Sequence, residues 1–99
     1  MAYRLQYADD VTTYLQDGNR LSQEEQGRLR TMLNYLRESA DDYRQDPSRR
    51  LAPGSPFFWY DVVIFGRPPR QFKFLVGDAA AAHKILHIVY VDEEIGPTL

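Results

Sequence analysis

The stretch FFWYDVVIFGRPPRQFKFLVGDAAAAHKILHIVYV, residues 57–91, decides the fold. Phe57 to Phe65 is dense in aromatic and β-branched residues, the composition of a strand. Gly66-Arg67-Pro68-Pro69 breaks it. Arg70 to Val76 then alternates, with Phe72, Phe74 and Val76 on one side and Gln71, Lys73 and Leu75 on the other. That is the period of a half-buried strand. Gly77 and Asp78 open a second connection, in which Ala79 to Ala82 form a loop or one helical turn. Lys84 to Val91 is apolar on both faces, with Leu86, Ile88 and Tyr90 opposite Ile85, His87, Val89 and Val91, so it belongs in the middle of a sheet. Connections this short produce an antiparallel meander.

Upstream, Pro47 to Pro56 holds three prolines, one glycine and two serines, and reads as a loop that also carries Arg49 and Arg50. Before it lies a long amphipathic helix from Ser22 to about Gln45. Ser22 and Glu25 form a capping box. Leu29, Met32, Leu33, Leu36, Ala40 and Tyr43 make one apolar stripe, and Arg28, Arg30, Arg37 and Glu38 lie on the other side. Asp46-Pro47 ends it, because a residue before proline is pushed out of the helical region. A shorter helix precedes it: Asp9 and Asp10 in the first turn, Val11, Tyr14 and Leu15 on one face, Gly18 at the C-cap. Ala2 to Tyr7 alternates and forms a strand, with Tyr3, Leu5 and Tyr7 on one side. Asp92 to Leu99, with Gly96-Pro97, is expected to be a frayed acidic tail.

The order is therefore β-α-α-β-β-β, a helical hairpin packed on a mostly antiparallel four-stranded sheet, class α+β, and 99 residues make one domain. A chain of this size buries only about 60% of its unfolded surface, so the core is modest. At 43% hydrophobic the composition is that of a globular protein. With no cysteine there is no disulfide scaffold and no Cys-based zinc site. Apolar runs such as Val62 to Phe65 are far short of the roughly 20 residues of a membrane helix. The first residues lack the basic-then-apolar layout of a signal peptide, so a cytoplasmic location without membrane contact is expected.

The formal net charge is −2, but it is unevenly placed. Residues 1–46 hold six Arg against nine acidic residues, net −3. Residues 47–87 hold Arg49, Arg50, Arg67, Arg70, Lys73 and Lys84 against Asp61 and Asp78, net +4. Residues 88–99 hold Asp92, Glu93 and Glu94, net −3. The sheet half is basic and carries His83, His87 and the aromatic run Phe57 to Tyr60. Cations interleaved with aromatic rings can hold phosphates and stack bases; the same cations also read as ordinary solvated surface.

Element order, the basic turn at Arg67, the Arg at the start of the middle strand and the terminal strand together resemble the RelE/ParE superfamily of bacterial toxins. The likeness runs over almost the whole chain and centres on Tyr60 to Val91. It implies the toxin component of a toxin–antitoxin pair, held by a cognate antitoxin protein. RelE-like members cut ribosome-bound mRNA by attack of the ribose 2′-hydroxyl, with no cofactor or metal; ParE-like members bind DNA gyrase. The 2′-hydroxyl chemistry needs a base, an acid and cations on the phosphorane. The family's basic position on the middle strand falls on Arg70 or, one place on, Gln71. Three features depart from the nuclease pattern: Tyr60-Asp61-Val62-Val63-Ile64 lacks its lysine pair, Asp92-Glu93-Glu94 stands where a basic residue is expected, and no C-terminal helix follows.

On this basis the catalytic candidates are Arg70, Lys73 and His87, with Arg49, Arg50, Arg67, His83, Lys84 and Tyr90 as binders of RNA or a protein partner. Each also has an ordinary reading. His87 alternates with Ile85 and Val89 as a packed sheet histidine, and Tyr90 shares a face with Leu86 and Ile88 as core. Trp59 and its neighbours are core, or a partner surface if exposed. Arg49 and Arg50 sit on a mobile loop. His83 and His87 lie about 13 Å apart along one strand, too far to share a metal. A non-nuclease toxin acting by protein binding, and an unrelated small binding domain, remain as alternative functions.

Overall fold

In a computed structural model, which describes residues 2–94, the chain folds as two helices on one face of a four-stranded mixed sheet. The elements are β1 (Arg4–Tyr7), α1 (Asp9–Leu15), α2 (Gln23–Arg44), β2 (Phe57–Ile64), β3 (Arg70–Gly77) and β4 (Ile85–Glu94), with short 3₁₀ turns at Pro47–Arg49 and Ala81–His83. The sheet order is β1-β4-β3-β2. β2, β3 and β4 form the antiparallel meander, and β1 joins β4 in parallel through Arg4↔Ile85 to Tyr7↔Ile88. β4 is thus internal, as its two apolar faces require.

The α2 N-terminus carries the capping box in both directions: Ser22 Oγ accepts from the Glu25 amide at 3.1 Å, and a Glu25 carboxylate oxygen accepts from the Ser22 amide at 2.9 Å. Its stripe, Leu29, Leu33, Leu36 and Ala40, is fully buried against Phe58, Phe72, Phe74, Leu86 and Ile88. This burial holds the helix, since an isolated amphipathic helix is marginal in water. Tyr60 closes the helix–sheet joint: its ring meets Tyr43 edge-on at 5.0 Å and its hydroxyl donates to the Met32 carbonyl at 2.7 Å. Burial pushes the Tyr60 phenol up to about 12.

Four local expectations change. α1 ends at Leu15 with Gln16 as its C-cap, and Gly18 lies in the turn beyond. Lys84 does not begin the last strand; it takes a left-handed conformation (φ 59°) that turns the chain into β4. Asp92 to Glu94 are not a frayed tail but the end of β4, paired with Lys73, Phe72 and Gln71; the rest of the proposed tail lies outside the described residues. Finally, Tyr90 is not core. Leu75 pairs with Tyr90 but Val76 pairs with Ile88, so Val89 is an unpaired bulge residue. The bulge reverses the alternation of β4: Leu86 and Ile88 point to the helices, then Val91 does, while Tyr90 is 45% exposed.

Candidate functional site

Among the described residues the helices cover one sheet face and nothing covers the other. Alternation assigns the faces. Phe72, Phe74 and Val76 fill the core, so Arg70, in phase with them, is on the helix side, and Lys73 is on the open side. Leu86 and Ile88 fill the core, so His87 is on the open side, opposite Gly77 and Gln6. The three catalytic candidates are therefore divided between two faces. On the open face Lys73 and the His87 position are four residues apart along β3, about 13 Å.

Arg70 is fully engaged. Its guanidinium donates to both carboxylate oxygens of Glu93, at 2.9 and 2.7 Å, to Glu25 at 3.1 Å and to the Arg20 carbonyl at 3.0 Å, and lies 5.2 Å from the centre of the Phe72 ring. The bulge produces this arrangement, because only after it does Glu93 face the helices. The fork on Glu93 and the bond to Glu25 raise the Arg70 pKa; Arg70 in turn holds Glu93 below the usual carboxylate range. Glu25 is lowered first by the Ser22 amide and then by Arg70. One cation thus ties together the start of β3, the end of β4 and the first turn of α2.

On the open face three cross-strand rows are in register. Trp59, Leu75 and Tyr90 form an apolar row; Asp61, Lys73 and Asp92 form the next; Val63, Gln71 and Glu94 follow. The Lys73 ammonium lies 5.1 Å from the centre of the Trp59 ring, and Tyr90 meets that ring edge-on at 6.3 Å. Among the described residues no carboxylate is within 4.0 Å of Lys73. A cleft of about 390 Å³ opens here between Ser48, Arg49, Trp59, Asp61, Lys73 and Glu94. Two cations and two carboxylates line it, so it has no net pull on a polyanion.

The remaining candidates scatter. Arg49 reaches this cleft but is shared with Asp46 and Asp61, at 3.6 Å each, and lies over Tyr43. Arg50 is not a loose loop cation: it binds Asp78 at 2.8 Å and the Arg44 carbonyl at 2.6 Å. Arg44 also binds Asp78, at 3.1 Å. The Asp78 side chain is only 8% exposed. Burial pushes that carboxyl up, and the two guanidiniums outweigh burial and hold it below the ordinary value. Arg67 and His83 are exposed, Arg67 in the β2–β3 turn and His83 in the 3₁₀ turn before Lys84. The Lys84 ammonium lies 4.6 Å from the Tyr3 ring, and its carbonyl accepts from the Arg4 amide at 2.7 Å. Sequence reasoning read Glu25 as a cap and Glu93 as part of an acidic tail, and missed both as partners of Arg70. The available signal was Arg70 itself: a charge in phase with Phe72 and Phe74 needs opposite charges on the helix side.

Among the described residues no helix is long and apolar enough to cross a membrane. No family model, no curated protein and no solved structure matches the chain.

Proposed function

We propose that this chain is the toxin component of a toxin–antitoxin pair of the RelE/ParE kind, working in the cytoplasm by binding a protein through its open sheet face rather than by cutting mRNA. The observation that carries the second half is the division of Arg70 from Lys73 and His87. In-line attack on a phosphate needs its base, acid and cations within hydrogen-bond reach of one reacting group. Here the strongest cation is spent on Glu93 and Glu25 behind the sheet. What the open face offers instead is the Trp59–Leu75–Tyr90 row beside Asp61, Lys73 and Asp92. An apolar centre with an alternating charged border suits a protein surface. The toxin assignment rests on element order, sheet arrangement and the basic turn and strand start at Arg67 and Arg70.

Inducible expression in a bacterium tests this. Growth arrest is expected, and Trp59→Ala combined with Tyr90→Ala is expected to relieve it while the purified variant keeps its far-ultraviolet circular dichroism. Undisturbed growth on expression of the unaltered chain would remove the toxin assignment. Arrest that survives in the folded double variant would remove the open face as the working surface.

A further inference from the structure

The open sheet face carries more acid than base. Beside the Trp59–Leu75–Tyr90 row stand Asp61, Asp92 and Glu94, with Lys73 among them. Arg49 reaches over from the turn before β2, but it is divided between Asp46 and Asp61 at 3.6 Å each. Four carboxylates thus face two cations, a net of −2 on this patch. Asp92 and Glu94 form no ion pair among the described residues. Covering unpaired carboxylates with an apolar or acidic surface is costly, so a partner that sits here has to bring cations.

The aromatic corner points the same way. Trp59 and Tyr90 meet edge-on, at 6.3 Å and 76°, and the Tyr90 hydroxyl donates to Asp92 at 3.2 Å. An indole face with a carboxylate nearby suits an ammonium or a guanidinium group. The chain already uses it in this way. The Lys73 ammonium lies 5.1 Å from the centre of the Trp59 ring and has no carboxylate within 4.0 Å. Lys73 is held by the ring and not by an ion pair, so a better-fitting cation can displace it. Arginine is that cation: its planar guanidinium stacks on an indole and forks onto a carboxylate at once. Asp92 and Glu94 are two residues apart on one side of β4, about 7 Å, which is the interval between alternate side chains of an extended peptide.

We infer that the segment bound by this face is extended and basic, with an arginine that takes the Trp59–Tyr90 corner in place of Lys73 while Asp92 and Glu94 pair with its guanidinium groups. This rests on the reading of the open face as a protein-binding surface and adds the chemistry of what binds. The same carboxylates repel the phosphates of a nucleic acid, and a second copy of the chain would set its own acids against them.

Titration of the purified chain with an eight-residue peptide alternating alanine and arginine, read by Trp59 emission and by calorimetry, is the test. Saturable binding that weakens as salt is added is expected, with none to a peptide alternating alanine and glutamate. Asp92→Asn with Glu94→Gln is expected to weaken binding about tenfold or more at unchanged circular dichroism. Glu38→Gln with Asp42→Asn removes the same charge from α2 and is expected to leave it intact. Lys73→Gln is expected to tighten it, the opposite of what a phosphate-binding lysine would show. No binding of the arginine peptide, equal weakening by the two neutralised pairs, or weaker binding by Lys73→Gln would each overturn the inference, as would a single-stranded oligouridylate that binds the face instead. Growth separates this inference from the reading beneath it. Arrest relieved by the Trp59 and Tyr90 replacements but not by Asp92→Lys with Glu94→Lys would keep the open face and remove its basic partner. Undisturbed growth would remove the toxin assignment, and the peptide titration would still decide the chemistry of the face.

Discussion

Arg70 shows how a residue picked for chemistry is used for architecture. Replacing it with alanine leaves two partly buried carboxylates without a partner, and hydrogen bonds to charged groups are worth about 1.5–3 kcal/mol each before relaxation. The expected loss is about 2–3 kcal/mol in urea unfolding, with Glu93→Gln costing less because Glu25 remains. The pH dependence follows from the carboxylates. Glu93 and Glu25 are both held below 4.5 in the folded state, so folding releases their protons more readily than the unfolded chain does. Their contribution is complete above the ordinary carboxylate value and is lost as pH falls through the depressed values. Stability of the unaltered chain should therefore decline below about pH 4.5, and Arg70→Ala should decline less steeply over the same range. An equal acid slope in both would show that Arg70 is not the cause. The basic character of Arg70 was legible in the sequence. Its partners were not, because Glu93 belongs to a segment whose acidity alone suggested a solvated tail.

Among the elements, β4 decides most. Its central place could be read from the apolar residues on both faces, and the helix–strand order from the α2 stripe and capping box. The Val89 bulge could not be read: a strand apolar on both sides gives no phase from which a slip would be noticed. Yet the bulge turns Tyr90 and Asp92 outward and Glu93 inward, building both the open-face aromatic row and the Arg70 lock. Deleting Val89 restores simple alternation and should destroy both. It should abolish the sharp cooperative unfolding transition and the near-ultraviolet dichroism. A deletion variant that unfolds as sharply as the unaltered chain would mean that the strand tolerates either phase. In α2, Leu33→Ala removes a fully buried side chain from the stripe and should cost 2–5 kcal/mol in denaturant unfolding, by the usual range for such truncations.

At the scale of the whole molecule, the described residues leave one sheet face without a covering layer, and the single tryptophan of the chain lies there. Trp59 is therefore a built-in reporter. Binding of a protein partner on the open face should shift its emission and protect it from acrylamide quenching. The charge division, acidic helices against a basic sheet half, was visible in the sequence and suggested a phosphate surface. Folding alters its meaning: Arg70 and Arg50 are neutralised by Glu93, Glu25 and Asp78, and Lys73 stands between Asp61 and Asp92. The division of the catalytic candidates between two faces is tested most directly by mapping transcript 5′ ends in cells arrested by expression of the chain. Unchanged ends, matching those of uninduced cells, are expected of a toxin that acts by binding. New ends within translated coding regions, absent when Lys73 and His87 are both replaced by alanine, would contradict it and restore mRNA cleavage.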